Sequence, residues 1–299
     1  MTNLPIDIDI NNIIDVLREL SWEVSDVLLS YAKILKADSE KNNFIQSKID
    51  GSPVTIADLK VNDLVFDVLK EKISNFYWGF LSEENHKLNF NKVGSNTDFL
   101  WVLDPLDGTK DFINGTGNYA MHLSLNFKDK PLLGIVLIPE KEELWIADGD
   151  KVWLERKNGC KYKPNNLLKD NILDMTLVIS KNHNNKVLQN LVSKLPVKEV
   201  ISMGSVGCKI SSIIRGESDF YISLSLPGKS APKDWDFAAP EALIKCAGGS
   251  ITNEYNKPLL YNKNNYLQSG VIIASGNSNN HSNLCQLIKG IINNNEIFN

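Results

Sequence analysis

Apolar positions between residues 9 and 38 recur at helical spacing (Ile10, Ile13, Ile14, Val16, Leu17, Leu20, Val24, Val27 and Leu28) and predict a long first helix. A second amphipathic stretch, Leu59, Val61, Leu64, Val65, Val68 and Leu69, opens at Asp58 and predicts another. Between them, Lys48 to Pro53 carries turn chemistry, and Val54 and Thr55 extend the chain into the second helix. The pattern then shortens. Trp78, Gly79, Phe80 and Leu81 make a strand-like run that ends at Glu83 and Glu84. Phe99, Leu100, Trp101, Val102 and Leu103 make a second run, whose unbroken apolar character predicts a buried strand.

Four further strand-like segments follow, Ala120 to Phe127, Leu132 to Ile138, Glu143 to Ala147 and Lys151 to Leu154, joined by short polar turns as in an antiparallel sheet. Beyond Cys160 the rhythm becomes alternating. Thr176 to Ile179 and Phe220 to Ser223 read as strands, while Lys186 to Leu195, Ser205 to Ile214 and Phe237 to Ala247 read as helices. The expectation is an α+β half over residues 1–165 and a layered α/β half over residues 166–299, meeting near the loop from Tyr162 to Asp170.

Composition narrows the classes. A chain of 299 residues with 42% hydrophobic content can bury a sizeable core as one large domain or two ordinary ones. Its net charge of -4 argues against binding to nucleic acid polymers, which calls for a basic face. The four cysteines are widely spaced and form no CxxC pair, which suggests neither a zinc site nor a disulfide framework. The first residues lack the basic start and apolar centre of a signal peptide, and no run approaches the roughly 18 apolar residues of a membrane span. A soluble, cytoplasmic protein is expected.

The candidate chemistry is acidic. Asp104, Pro105, Leu106, Asp107, Gly108 and Thr109 follow the buried run directly and place two carboxylates at its end. Paired carboxylates repel unless a cation or a shared proton lies between them. An ordinary surface turn uses the same residue types. Three other acidic positions have equally specific settings: Glu83 with Glu84 after a strand-like run, Asp58 at a helix start, and Asp236 within Asp234, Trp235, Asp236, Phe237, Ala238 and Ala239.

These four blocks, in this order, resemble the lithium-sensitive, magnesium-dependent phosphomonoesterase superfamily that contains inositol monophosphatase and fructose-1,6-bisphosphatase. Lys110, Asp111 and Phe112 after the Gly-Thr pair are similar to its 3'(2'),5'-bisphosphate nucleotidase branch. So are Ile179, Ser180, Lys181, Asn182 and His183, and the segment Ser202 to Lys209. The resemblance runs from about residue 50 to about residue 275. It implies a layered αβαβα sandwich and a phosphatase that removes the 3'-phosphate of adenosine 3',5'-bisphosphate, with 3'-phosphoadenylyl sulfate as a second substrate. An inositol phosphatase, a sugar bisphosphatase, or a non-catalytic nucleotide or metal sensor on the same fold are the alternatives. Relatives include monomers and homodimers.

By the same resemblance, Glu83, Asp104, the Leu106 carbonyl, Asp107 and Asp236 hold two or three magnesium ions, a choice consistent with an all-oxygen donor set. Thr109 and Asp58 orient or deprotonate the attacking water. Gly108 and Thr109 meet the phosphate, and Ser180, His183, Ser205 and Lys209 contact the nucleotide. Each has a plainer reading beside it. Thr109 could bond its own turn, Asp236 could cap the following helix, Glu84 could be solvated, His183 could sit in an open loop, and Lys209 could be a surface residue of its helix. Lys229 and Lys233, in the segment from Gly228 to Trp235, meet a second phosphate or belong to a solvated loop.

Overall fold

The computed structural model describes residues 9–37, 45–47, 53–73, 78–84, 98–164, 168–182, 185–226, 230–262 and 265–294. Helix α1 (Ile10–Lys36) starts where the Asp9 carboxylate accepts bonds from the Asn11 and Asn12 amides at 3.0 and 3.2 Å, and it ends with Lys33 and Lys36 in its last turn. Strands β1 (Ile45–Ser47) and β2 (Pro53–Thr55) form an antiparallel ribbon that leads directly into α2 (Ile56–Lys72).

A seven-stranded sheet follows in sequential order: β3 (Gly79–Ser82), β4 (Phe99–Asp107), β5 (Ala120–Phe127), β6 (Lys130–Ile138), β7 (Glu143–Ala147), β8 (Val152–Glu155) and β9 (Lys161–Tyr162). β3 runs parallel to β4, and every other pairing is antiparallel. The short helix α3 (Thr109–Ile113) links β4 to β5. The second sheet has the order β11-β10-β12-β14-β13. It is built from β10 (Thr176–Ser180), β11 (Glu199–Met203), β12 (Phe220–Ser225), β13 (Ser250–Asn253) and β14 (Gly270–Ser275), of which β14 is antiparallel to both its neighbours. Helices α4 (Lys186–Ser193), α5 (Val206–Ile214), α6 (Asp234–Cys246) and α7 (His281–Asn294) complete the chain.

Alternation along the strands explains the layering. Trp101 and Leu103 of β4 join a core with α1 and α2, whereas Val102 faces a second core with α5, α6 and the inner face of the five-stranded sheet. The outer face of that sheet, with Leu177 and Ile222, forms a third core with α4 and α7. The order of layers is therefore helix, sheet, helix, sheet, helix. An unbroken apolar run such as Phe99 to Leu103 is what a strand covered on both faces requires. Helix α6 lies so close to β6 that a Cβ on Gly134 would sit 2.7 Å from the Ala242 Cβ and 2.8 Å from the Ala239 carbonyl.

Several expectations shift. The strand of Phe99 to Leu103 continues through the acidic motif to Asp107, and a β-bulge absorbs the extra residue: Asp104 faces His122 while Asp107 faces Ala120. The helix expected from Phe237 begins three residues earlier, at Asp234, where the Asp236 carboxylate closes the first turn on the Lys233 amide and the Asp234 carboxylate is bonded by the Asn262 amide and by Gln268 Nε2, both at 2.6 Å. Pro240 is consequently in the helix interior and not in its first turn, and it has no N–H to give to the Asp236 carbonyl. The strands β11, β13 and β14 and helix α7 have no counterpart in the sequence reading. The turn residues 48–52 lie outside the described residues. Among the described residues no helix is long and apolar enough to cross a membrane.

Candidate active site

Two of the acidic positions are set by helix starts. Asp58 occupies the third position of α2, and its Oδ2 accepts the Thr55 amide at 2.8 Å and the Thr55 hydroxyl at 2.6 Å. Asp236 occupies the same position in α6, and its Oδ2 accepts the Lys233 amide at 2.6 Å. In both cases one carboxylate oxygen closes the helix start and the side chain is fixed by that bond. The pattern Thr55, Ile56, Ala57, Asp58 carries this signal in sequence; Lys233 to Asp236 does not, because lysine is not a usual cap.

The other acidic positions come from strands. Asp104 is buried in β4, and its Oδ1 accepts the Leu106 amide at 3.0 Å across the bulge. One Asp107 oxygen accepts the Val206 amide at the start of α5. Ligand oxygens of Asp104, Asp107 and Asp236 lie within 4.8 Å of one another. Burial, Asp107 and Glu83 together push the Asp236 carboxyl up to about 8, so the cluster carries more negative charge than it can hold without a counter-charge. Glu83, directly after β3, lines the same cleft, while Glu84 turns inward and is buried rather than solvated.

Thr109 Oγ1 donates to the Leu106 carbonyl at 3.2 Å and lies 3.5 Å from Asp58 Oδ1. The turn reading and the water-orienting reading of Thr109 thus share one geometry. Gly108 has φ +91, and a Cβ there would sit 2.9 Å from the Asn118 carbonyl and 3.2 Å from the Ser205 amide, which excludes a side chain on grounds of fold as well as of access.

A cleft of ≈ 570 Å³ opens beside this cluster, between the two sheets. Glu83, Asp104, Leu106, Asp107, Gly108, Thr109 and Asp236 line it together with Ser180, Ser205 and Lys209. Lys209 corrects the surface reading: it is 2% exposed, its ammonium donates to the Gly204 carbonyl, and it lies 5.2 Å from the centre of the Tyr221 ring. Burial holds its pKa below the usual lysine range, and the Asp107 charge opposes that shift. His183 and Lys229 lie outside the described residues. Lys233 is half-buried at the cleft edge, 5.8 Å from the Trp235 ring.

Three participants escaped the sequence reading. Asp111, buried in α3, accepts Thr116 Oγ1 at 2.6 Å and Asn182 Nδ2, and so ties the motif to the end of β10. Tyr221 supplies the ring beneath Lys209. His122, on β5, stands behind Asp107. In sequence Asp111 is a mark of the family resemblance, and no spacing rule joins residue 122 or 221 to the acidic blocks.

The donor set suits a hard divalent cation: clustered carboxylates, one carbonyl, and neither histidine nor cysteine among them. The chain is 29% identical over 249 residues to the 3'(2'),5'-bisphosphate nucleotidase CysQ of Buchnera aphidicola, covering 80% of this chain and 88% of that relative. It is also 29% identical over 238 residues to the nucleotidase CysQ of Escherichia coli strain K12, covering 79% and 91%. Among solved structures, CysQ from Bacteroides thetaiotaomicron superposes with a TM-score of 0.66 at 25% identity, covering 85% of this chain and 94% of that one. The inositol monophosphatase from Anabaena superposes with a TM-score of 0.70 at 21% identity, covering 94% and 96%. Residues 9–293 match the inositol monophosphatase family, and with three of its four carboxylate blocks lining one cleft and the fourth, Asp58, buried beside it against Thr109, this chain belongs to that family.

Proposed function

We propose that this phosphatase is a 3'(2'),5'-bisphosphate nucleotidase that removes the 3'-phosphate of adenosine 3',5'-bisphosphate, leaving AMP and inorganic phosphate. The observation that carries the reading is the mixed lining of the cleft. Carboxylates suited to cations that receive a phosphate line it together with Ser180, Ser205 and Lys209 and with Tyr221 and Trp235. A volume of ≈ 570 Å³ is ample for a nucleotide. The names of the relatives with 29% identity support the same choice.

Glu83, Asp104, Asp107, Asp236 and the Leu106 carbonyl are the residues that hold magnesium in this reading. When bound, the ions supply charge neutralisation and polarisation of the phosphate ester. Thr109 orients the attacking water: its hydroxyl donates to Asp58 or to the Leu106 carbonyl, which leaves an oxygen lone pair to accept from the water. Asp58, fixed by two bonds from Thr55, would take the Thr109 hydroxyl proton as the Thr109 oxygen takes one from the water. Lys209 and the two serines meet the part of the substrate that does not react, where a second phosphate distinguishes a bisphosphate from a monophosphate.

A panel of phosphate-release assays on adenosine 3',5'-bisphosphate, inositol 1-phosphate and fructose 1,6-bisphosphate tests the proposal, each with magnesium, with chelator and with added lithium. The expected result is highest kcat/KM on the nucleotide, loss of turnover with chelator and inhibition by lithium. Preference for inositol phosphate overturns the substrate assignment. Binding of the nucleotide without release of phosphate overturns catalysis itself.

A further inference from the structure

His122 is fully buried in β5 and pairs with Asp104 across the sheet. The bulge between Asp104 and Asp107 brings Asp107 to the same imidazole, with 3.4 Å between His122 Nε2 and Asp107 Oδ2. Two consecutive amides in the first turn of α5 meet these two acceptors. Val206 N–H donates to Asp107 Oδ2, and Gly207 N–H donates to His122 Nε2 at 3.1 Å. Because Nε2 accepts, the ring proton sits on Nδ1. The acceptors stand side by side because the donors do.

The fit leaves little slack. A Cβ on Gly207 would lie 2.3 Å from His122 Nε2 and 2.7 Å from the Val136 methyl, so only glycine brings the helix backbone onto the ring. Ser205 Oγ, which accepts the Cys208 amide at 3.2 Å to cap the same helix, is 3.5 Å from Nε2. The Trp235 carbonyl, in the first turn of α6 beside Asp236, faces the ring. His122 therefore touches the three segments that must agree for Asp104, Asp107 and Asp236 to converge: the bulged strand, the start of α5 and the start of α6.

We propose that His122 is a positioning residue of the acidic centre, holding the first turn of α5 in register with Asp107 so that this carboxylate keeps its place in the cation site. The role rests on the reading of the cluster as a cation site. Without the acceptor at Nε2, the Gly207 N–H is buried and unpaired, the turn shifts to find another partner, and the Val206 bond to Asp107 moves with it. Loss of a group that orients a liganding side chain typically weakens metal affinity about 10- to 100-fold.

The test is Mn²⁺ binding without substrate, followed by the electron paramagnetic resonance of the free ion, on the full chain and on three variants. His122→Leu removes the acceptor, His122→Asn withdraws it by about one bond length, and His122→Gln keeps an acceptor at a similar reach. The expected result is Mn²⁺ affinity weakened about 10- to 100-fold in the leucine variant and restored toward wild type in the glutamine variant. If the leucine variant does not fold, as judged by circular dichroism, weakened affinity in His122→Asn against near-wild-type affinity in His122→Gln supports the role. A lowered melting temperature in chelator with unchanged Mn²⁺ affinity overturns it, as does equal weakening in the asparagine and glutamine variants. A wild-type chain that takes up no Mn²⁺ overturns the cation-site reading, and the role of His122 with it.

Discussion

Asp236→Asn should make the metal-free protein more stable while disabling it. Burial, Asp107 and Glu83 raise the Asp236 carboxyl from 3.8 to about 8. Between those values the folded chain keeps the proton and the unfolded chain releases it, so this group's contribution to stability is fully present below pH 3.8 and is lost as pH rises to about 8. At about 1.4 kcal/mol for each unit of pKa, the loss at pH 8 has an upper bound near 6 kcal/mol. Asp236 is only half-buried at the cleft surface, and solvent screening reduces the working figure to about 2 kcal/mol. Asparagine retains an oxygen for the Lys233 amide but carries no charge to repel Asp107. In chelator at pH 8 the variant should therefore melt about 3 °C above wild type, and the gap should close as the pH is lowered to 4. Magnesium should raise the wild-type melting temperature at pH 8 and leave the variant nearly unmoved, since only the wild type retains the full ligand set. Scanning fluorimetry from pH 4 to 8.5, with magnesium and with chelator, measures all four conditions. A variant that melts at or below wild type at pH 8 in chelator, with no dependence on pH, would refute the view that unbalanced charge destabilises the empty centre.

Thr109→Ala should lower kcat about 10²-fold or more while leaving the magnesium dependence of the rate unchanged; a loss confined to magnesium affinity would make Thr109 a support for the ions instead. Lys209→Met, which keeps the buried stem, should raise KM for adenosine 3',5'-bisphosphate roughly 10- to 150-fold, the equivalent of one charge-assisted hydrogen bond, with a smaller effect on inositol 1-phosphate; equal effects on both would place Lys209 in the scaffold. Burial holds His281 down at about 4, between Thr252 Oγ1 at 2.8 Å and Ser275 Oγ at 2.7 Å. The folded state therefore resists protonation that the unfolded chain accepts. Its stabilisation is present above pH 6.5 and is lost as pH falls toward 4, so His281→Gln should flatten the acid limb of a urea-denaturation profile over that window.

Period and punctuation were enough for elements whose cause is local. The long apolar stripe of α1, the strands from Ala120 to Ala147 and the acidic block after Leu103 could all be read without the fold. The strands β11, β13 and β14 could not. β11 is largely exposed, β13 is mixed in burial, and β14 is a short buried run that periodicity alone cannot tell from a helix segment. The misplaced start of α6 has a different cause. Asp234 stands at that helix start with its carboxylate bonded by Asn262 and Gln268, far along the chain, contacts that leave no local signal.

The site divides along the same line. The amino-acid order alone pointed to a set of carboxylates, because strand ends and helix starts dictate where an Asp or Glu can project with a fixed direction, and the four blocks that carry the family resemblance hold that pattern in their own short segments. Only the tertiary structure decided that Asp104, Asp107 and Asp236 come within 4.8 Å of one another, that Lys209 is buried in the lining of the same cleft, and that His122 lies against Asp107. Those relations run through a bulge between β4 and β5, two amides at the start of α5 and a helix pressed onto Gly134. Contacts between residues tens to more than a hundred positions apart leave no periodic trace in sequence; they exist only once the layers have packed.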